Sequence, residues 1–171
     1  MNEAALLALA VAGDTAAFES LVRQRQSPLR GFLRRLTRGD HALADDLAQE
    51  TFFEAWRKID QFRGEGPFAS WLARIAYRRY LMWARQRKLE PLDDGADYIE
   101  THSGPPPELR LDLEKAMARL SLPERAALTL CYALEYTQEE AADTLEMPLG
   151  TLKSHVARGR EKLRKLLESE S

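Results

Sequence analysis

The stretch YTQEEAADTLEMPLGTLKSHVARGR, residues 136–160, decides how the C-terminal part of this chain is read. It predicts a helix, a tight turn and a second helix whose exposed side is basic. Thr137 precedes Glu140 by three residues, the capping-box spacing, and Ala141, Leu145, Met147, Leu152 and Val156 supply apolar positions for two crossed helices to share a core. Pro148 cannot continue the first helix, and Gly150 eases the start of the second. From residue 148 to residue 166 six basic side chains (Lys153, Arg158, Arg160, Lys162, Arg164, Lys165) face one acid, Glu161. A charge run by itself is a solvated face. Here the run follows a helix-turn signature, the device that places side chains in a DNA major groove.

The net charge of -2 conceals three blocks. Residues 74–88 carry six basic side chains and no acid, residues 89–114 carry eight acids against Arg110 alone, and residues 148–166 are strongly basic. Two basic surfaces are thus separated by an acidic connector. Apolar residues recur at three and four along most of the chain and sustained alternation is absent, so the expected fold is all-α. The helical pattern breaks at Pro91, Asp93-Asp94-Gly95 and residues 101–107, THSGPPP, a composition with little to bury. The expected organisation is a helical unit at 1–88, an acidic linker at 89–108 and a helix-turn-helix unit at 109–171.

With 171 residues, 44% hydrophobic and 30% charged, the composition is that of an ordinary globular protein. No apolar run approaches the roughly 20 residues of a membrane span. No basic leader precedes the first apolar residues, so neither a signal peptide nor membrane insertion is expected and a cytoplasmic location is. A single cysteine, Cys131, leaves no internal disulfide and reads as a buried small hydrophobe among Leu128, Leu130, Tyr132 and Leu134.

In the N-terminal unit Asp14 is placed to cap a helix running through Gln24, Pro28 to begin another, and Gly39-Asp40 to separate that from a third at about 41–59. On the third helix Ala44, Leu47, Ala48, Thr51, Phe52, Ala55 and Ile59 fall on the core side. Phe53 falls on the other side with Asp46, Gln49, Glu50 and Arg57, and Trp56 lies near the boundary. An aromatic among polar residues is either a protein-binding surface or an ordinary isolated exposed residue. Next comes the loop FRGEGPF, residues 62–68, with two glycines and a proline suited to a helix start. The helix after it turns an apolar face (Phe68, Trp71, Leu72, Ile75, Met82, Trp83) inward. Arg74, Arg78, Arg85 and Lys88 form a separate stripe able to follow a phosphate backbone, and Tyr77 and Tyr80 either stack on unpaired bases or join the core.

Four stretches carry a family resemblance: LADDLAQETFFEAW at 43–56, FRG at 62–64 with FASWLARIA at 68–76, LPER at 122–125, and the helix-turn-helix at 136–160. In that order, over nearly the whole chain, they resemble the extracytoplasmic-function (group IV) sigma factors of bacterial RNA polymerase. The resemblance implies a sigma-2 domain, a flexible linker and a sigma-4 domain, acting as an alternative sigma factor in a stress or envelope response. It implies that Asp46, Gln49, Glu50 and Phe53 meet the beta-prime clamp helices of core RNA polymerase and that the beta flap is a second contact. It further implies that Arg63 and Gly64, in a loop that captures a flipped base, with Arg74 and Arg78 on phosphates, serve the minus 10 element of promoter DNA. Lys153, Ser154, His155 and Arg158 would meet the minus 35 element. The acidic linker resembles a segment that threads polymerase channels by mimicking nucleic acid, and an anti-sigma factor is the implied regulator.

Three residues depart from the pattern. Glu146 stands in the turn where glycine is frequent, at a cost of about 1 kcal/mol if the position needs positive φ. His155 stands where arginine is common, and neutral histidine cannot grip guanine bidentately. Arg78 stands where asparagine is often found. Two other readings compete: a dimeric helix-turn-helix regulator, which leaves the N-terminal basic stripe and acidic linker without a role, and an enzyme. Against the enzyme, His41, His102 and His155 are scattered, metal-ligand spacing and a phosphate-binding glycine fingerprint are lacking, and the Asp45-Asp46 and Glu139-Glu140 carboxylates diverge by about 100 degrees on a helix. No catalytic residue, metal or cofactor is expected.

Overall fold

The computed structural model describes residues 1–87 and 108–169, with side chains from residue 112 onward in the second segment. The linker expected at 89–108 falls outside them except for Glu108. Among the described residues the regular structure is entirely helical. The first unit holds α1 (Glu3–Val11), α2 (Thr15–Leu36), α3 (His41–Arg57), a 3-10 turn at Ile59–Gln61 and α4 (Phe68–Arg87). The second holds α5 (Glu108–Ala118), α6 (Leu122–Leu128), a π turn at Thr129–Ala133, α7 (Gln138–Thr144) and α8 (Leu149–Ser169).

Local signals set the helix starts. Asp14 and Asp40 accept hydrogen bonds from Ala17 N and Leu43 N at 3.1 and 3.0 Å, capping α2 and α3. Thr137 does the same for α7 through Glu140 N at 3.1 Å. Ser121 and Glu124 close a full capping box at the head of α6.

Pro28 overturns one expectation: it starts no helix but lies exposed inside the 22-residue α2. A proline in a helix interior costs about 3 kcal/mol. Leu21, Leu29, Phe32, Leu33 and Leu36, all buried along α2, are each worth about 1.5–3 kcal/mol, so packing against α3 and α4 overrides the break. On α3 the expected core side is buried, with Phe52 partly so. The helix itself stops at Arg57, leaving Ile59 to reach the core from the 3-10 turn. Tyr77 and Tyr80 belong to the core, which removes them as base-stacking candidates. Met82, expected inward, is 52% exposed, because the α4 face that meets α2 and α3 runs through Leu72, Ala76, Tyr80 and Ala84. Cys131 is half-buried, with its thiol pushed up by burial, and Tyr132 is exposed under the Arg160 guanidinium at 5.8 Å. The π turn rotates this segment away from the regular helix that the apolar pattern suggested.

In the second unit every residue of α6 is buried, Glu124 and Arg125 included. Lys162 of α8 stands 3.0 Å from the Glu124 carboxylate. A Cβ on Gly159 would lie 2.9 Å from Leu128 Cδ1 and 3.3 Å from its Cγ, so α8 crosses α6 where a larger residue must displace the Leu128 side chain.

Three helices end in the same hydrogen-bond pattern, in which the residue after the cap turns left-handed and its amide and the next one close onto the last turn. At α1 that residue is Gly13, with φ 100. At α2 it is Arg38, φ 55: Arg38 N reaches Arg35 O at 3.3 Å and Gly39 N reaches Arg34 O at 2.8 Å. At α7 it is Glu146, also φ 55: Glu146 N reaches Asp143 O at 3.2 Å and Met147 N reaches Ala142 O at 3.0 Å. Glycine would remove a strain of about 1 kcal/mol at either place.

The two units pack together, α2 against α5 and α6 and α4 against α7. Arg125, with 0% exposure, crosses this seam: Nε donates to Arg35 O at 2.7 Å, Nη2 to Leu36 O at 2.8 Å and Nη1 to Leu120 O at 2.8 Å. Arg35 in turn pairs with Glu114 at 3.2 Å.

Overpacking at the α6–α8 crossing should be costly. Gly159→Val is expected to lose about 1–3 kcal/mol in urea unfolding, and an unchanged midpoint would show that the crossing has slack.

Candidate nucleic-acid and protein interfaces

Each predicted group of residues sits on a different surface. On α8, Leu152, Val156 and Gly159 turn inward, which forces Lys153, Ser154 and Arg158 outward, with His155 half-buried at the edge. Ser154 Oγ donates to Gly150 O at 3.1 Å, satisfying its hydroxyl within the helix. Arg158 Nη2 donates to His155 Nδ1 at 3.2 Å, a bond that requires the imidazole nitrogen to be unprotonated. Burial first, then the Arg158 charge, holds the His155 imidazole below its ordinary value.

On the first unit, α3 presents Asp46, Gln49, Glu50 and Phe53, all exposed, along the side opposite its buried alanines. Phe53 is 64% exposed, with the Arg57 guanidinium 5.9 Å from its ring. Behind this face Glu54 accepts from Lys58 at 2.7 Å and also pairs with Arg79 of α4. Burial works to raise the Glu54 carboxyl, but those hydrogen bonds outweigh it and leave it lowered. The exposed side of α3 is therefore fixed to α4 from beneath.

Arg63 and Gly64 are exposed at the tip of the loop between the 3-10 turn and α4, where Gly64 has φ 72. Phe62 pins the base of this loop, packing 5.6 Å from Phe68 and 5.3 Å from Trp71 between ring centroids. Trp71 and Trp83 both lie half-buried against the core. The α4 stripe is only partly open: Arg85 is exposed, Lys88 lies outside the described residues, and Arg74 is half-buried. Arg78 is exposed but forms an ion pair with Glu146 across the seam. That contact raises the guanidinium and lowers the carboxylate, with the Arg74 charge adding to the lowering. Two of the three departures noted in the sequence are thus partners of each other.

Sequence reasoning missed Arg38 and Arg125 as seam residues. The LPER string placed Arg125 in a stretch of the family resemblance but carried no signal of what it would touch. Among the described residues no group of three His, Cys, Asp or Glu is placed to hold a metal, and no helix is long and apolar enough to cross a membrane.

The lowered His155 gives a pH signature. An unfolded chain takes up the proton first, near an ordinary value of about 6.5, so this residue's contribution is present above that pH and is lost as pH falls from there through the lower folded-state value. Thermal melts from pH 8 to pH 5 are expected to drop more steeply below about pH 6.5 for the native chain than for His155→Gln. Parallel curves would remove the assignment.

Residues 21–90 match the Sigma-70 region 2 family and residues 110–163 the Sigma-70 region 4 family. The ECF RNA polymerase sigma factor SigM of Mycobacterium tuberculosis is 34% identical over 97% of this chain and 85% of its own. The RNA polymerase sigma-H factor of Pseudomonas aeruginosa is 34% identical over 91% of this chain and 89% of its own. Among solved structures, the sigma factor RpoE in complex with the anti-sigma factor NepR, from Bartonella quintana, superposes with a TM-score of 0.75. It is 30% identical, over 90% of this chain and 98% of that one. CnrH in complex with the cytosolic domain of CnrY gives 0.74 at 25% identity, over 97% of both chains. The helical unit with its exposed α3 face and the helix-turn-helix unit are accordingly a sigma-2 and a sigma-4 domain, and the chain belongs to the extracytoplasmic-function sigma factors of bacterial RNA polymerase.

Proposed function

We propose that this sigma factor binds core RNA polymerase through the α3 face, with Asp46, Gln49, Glu50 and Phe53 as its contacts. The observation that carries the reading is Phe53, a large aromatic 64% exposed among acidic and amide side chains on a helix whose other side is core. An apolar ring held outward at this exposure is a ready anchor for a protein groove, and aromatic anchors dominate such interfaces. The loop at Arg63 and Gly64, with Arg74 and Arg78, would hold the melted minus 10 strand, and Lys153, Ser154, His155 and Arg158 would meet the minus 35 duplex. His155, neutral and with its Nδ1 accepting from Arg158, supplies shape and one donor, Nε2–H, rather than a bidentate grip. Arg158 is the cation that the same hydrogen bond points along the groove face.

The domain limits that go with this function are 1–88, 89–108 and 109–171, the acidic middle segment lying along polymerase channels. The protein carries no covalent chemistry of its own: it positions DNA for the polymerase. Two modest readers joined by a linker gain affinity through effective concentration when a third body sets their spacing, so promoter binding depends on polymerase. The anti-sigma factor bound to one structural neighbour, and the cytosolic domain bound to another, support a regulator of the same kind, one that covers these surfaces. The cytoplasm is where polymerase and promoter are found, and is the proposed location.

Run-off transcription with core polymerase, on a promoter found by mapping starts after overexpression, tests the α3 face. Phe53→Ala, or Gln49→Ala with Glu50→Ala, is expected to cut output roughly tenfold or more, as loss of a ~2 kcal/mol anchor would. Normal output from these variants would remove the polymerase contact. A gel shift of the minus 35 duplex tests α8: Arg158→Ala is expected to weaken binding by about 1–3 kcal/mol, and unchanged affinity would sink the groove assignment.

A further inference from the structure

From the seam between the two domains we infer an autoinhibitory clasp, in which Arg38, Arg125 and Glu146 hold the free protein in a closed form that cannot engage both promoter elements. The inference rests on the promoter-reading function proposed above. The clasp is reciprocal. Arg125 of the sigma-4 domain is wholly buried and donates to the Arg35 and Leu36 carbonyls at the end of α2 in the sigma-2 domain. Arg38 of the sigma-2 domain, nearly buried, donates from Nε to Ala118 O at 2.9 Å, the end of α5 in the sigma-4 domain. Each domain thereby supplies a guanidinium to a helix C-terminus of the other, where unpaired carbonyls concentrate negative potential.

The third element closes on the DNA-facing stripe. Glu146, in the turn of the helix-turn-helix, takes Arg78 of α4 as its ion-pair partner and lies in the field of Arg74. Those two arginines are the proposed minus 10 phosphate contacts, so in the closed form a carboxylate occupies the place of a phosphate. Local geometry sharpens the point. Arg38 and Glu146 both sit at φ 55 in helix-ending turns, where the equivalent turn after α1 has Gly13. On local grounds glycine suits both, yet both are charged, and both side chains cross the seam to the other domain.

The closed form is too short for the promoter. Elements named minus 10 and minus 35 are separated by about 25 base pairs, roughly 85 Å of duplex at 3.4 Å per step. A compact chain of this length has a radius of gyration of about 16 Å. The domains must part before both elements are read, and every clasp contact must break as they do. A cavity of about 160 Å³ between Phe32 and Leu72 on one side and Leu134 and Tyr136 on the other leaves part of the seam unfilled, as suits a surface that opens.

Arg38→Gly and Glu146→Gly test this without threatening the fold, since glycine prefers both backbone angles. Small-angle scattering on the full chain is expected to show a radius of gyration at least a tenth larger for the double variant than for the native protein. Adding Arg125→Met should raise it further. Binding of a twelve-nucleotide oligothymidylate by Arg38→Gly alone is expected to tighten threefold or more. This variant loses a cation, so electrostatics without a clasp predicts weaker binding. A helical double variant, by circular dichroism, with the native radius would overturn the clasp, as would weaker oligonucleotide binding by Arg38→Gly. Failure of the native chain to direct run-off transcription would instead count against the promoter-reading function, leaving the scattering result to judge the clasp.

Discussion

The Arg125 guanidinium is the interaction on which the relation between the two halves depends. A buried cation without partners costs several kcal/mol, so Arg125 tolerates its position in α6 only where carbonyl oxygens surround it. Two of those oxygens belong to the last turn of α2, in the other domain. Burial of α6 on all sides and the docking of α2 on α6 are therefore one event. Glu124, next to it, completes the polar side of α6 by capping the helix head and pairing with Lys162, so α8 is aimed by the same short helix.

Around that centre the exposed faces are consequences of packing. Alanines along α3 let it lie close to its neighbours, which leaves Asp46, Gln49, Glu50 and Phe53 facing out. Gly159 brings α8 onto α6 and thereby presents Lys153, Ser154 and Arg158 away from the core. The loop of Arg63 and Gly64 is held by Phe62 on Phe68 and Trp71, so a stretch of exposed backbone starts from a rigid base. Family membership ties the chain to transcription initiation and displaces the dimeric regulator as its account.

The closed arrangement also changes how an exposed basic stripe is understood. Arg78 looks available on a helical wheel, yet it is partnered by a carboxylate from the other domain. An exposed ion pair of this sort is worth only about 0–1 kcal/mol, so it is easily exchanged and does not hold the fold. Core stability comes instead from the apolar rows of α2, α4 and α6.

Much of the fold is legible in the amino-acid sequence. The 3.6-residue periodicity sets the all-helical class, the capping residues Asp14, Asp40 and Thr137 mark true helix starts, and the outward place of Phe53 follows from the inward alanines of α3. These are short-range properties, settled within a few turns of helix. Pro28, Met82 and the two tyrosines of α4 escape such a reading because neighbouring helices determine what a face buries, and those neighbours are remote in sequence. Glu146 is recognisable as a strained turn residue, since the need for positive φ is local, whereas its pairing with Arg78 spans 68 positions. Sequence alone thus determined the helices, their starts and the chemistry of their outer faces. Which arginines stay exposed to solvent and which are spent between domains is settled by how the helices pack, because a guanidinium's partners are set by three-dimensional proximity and not by its place in the chain.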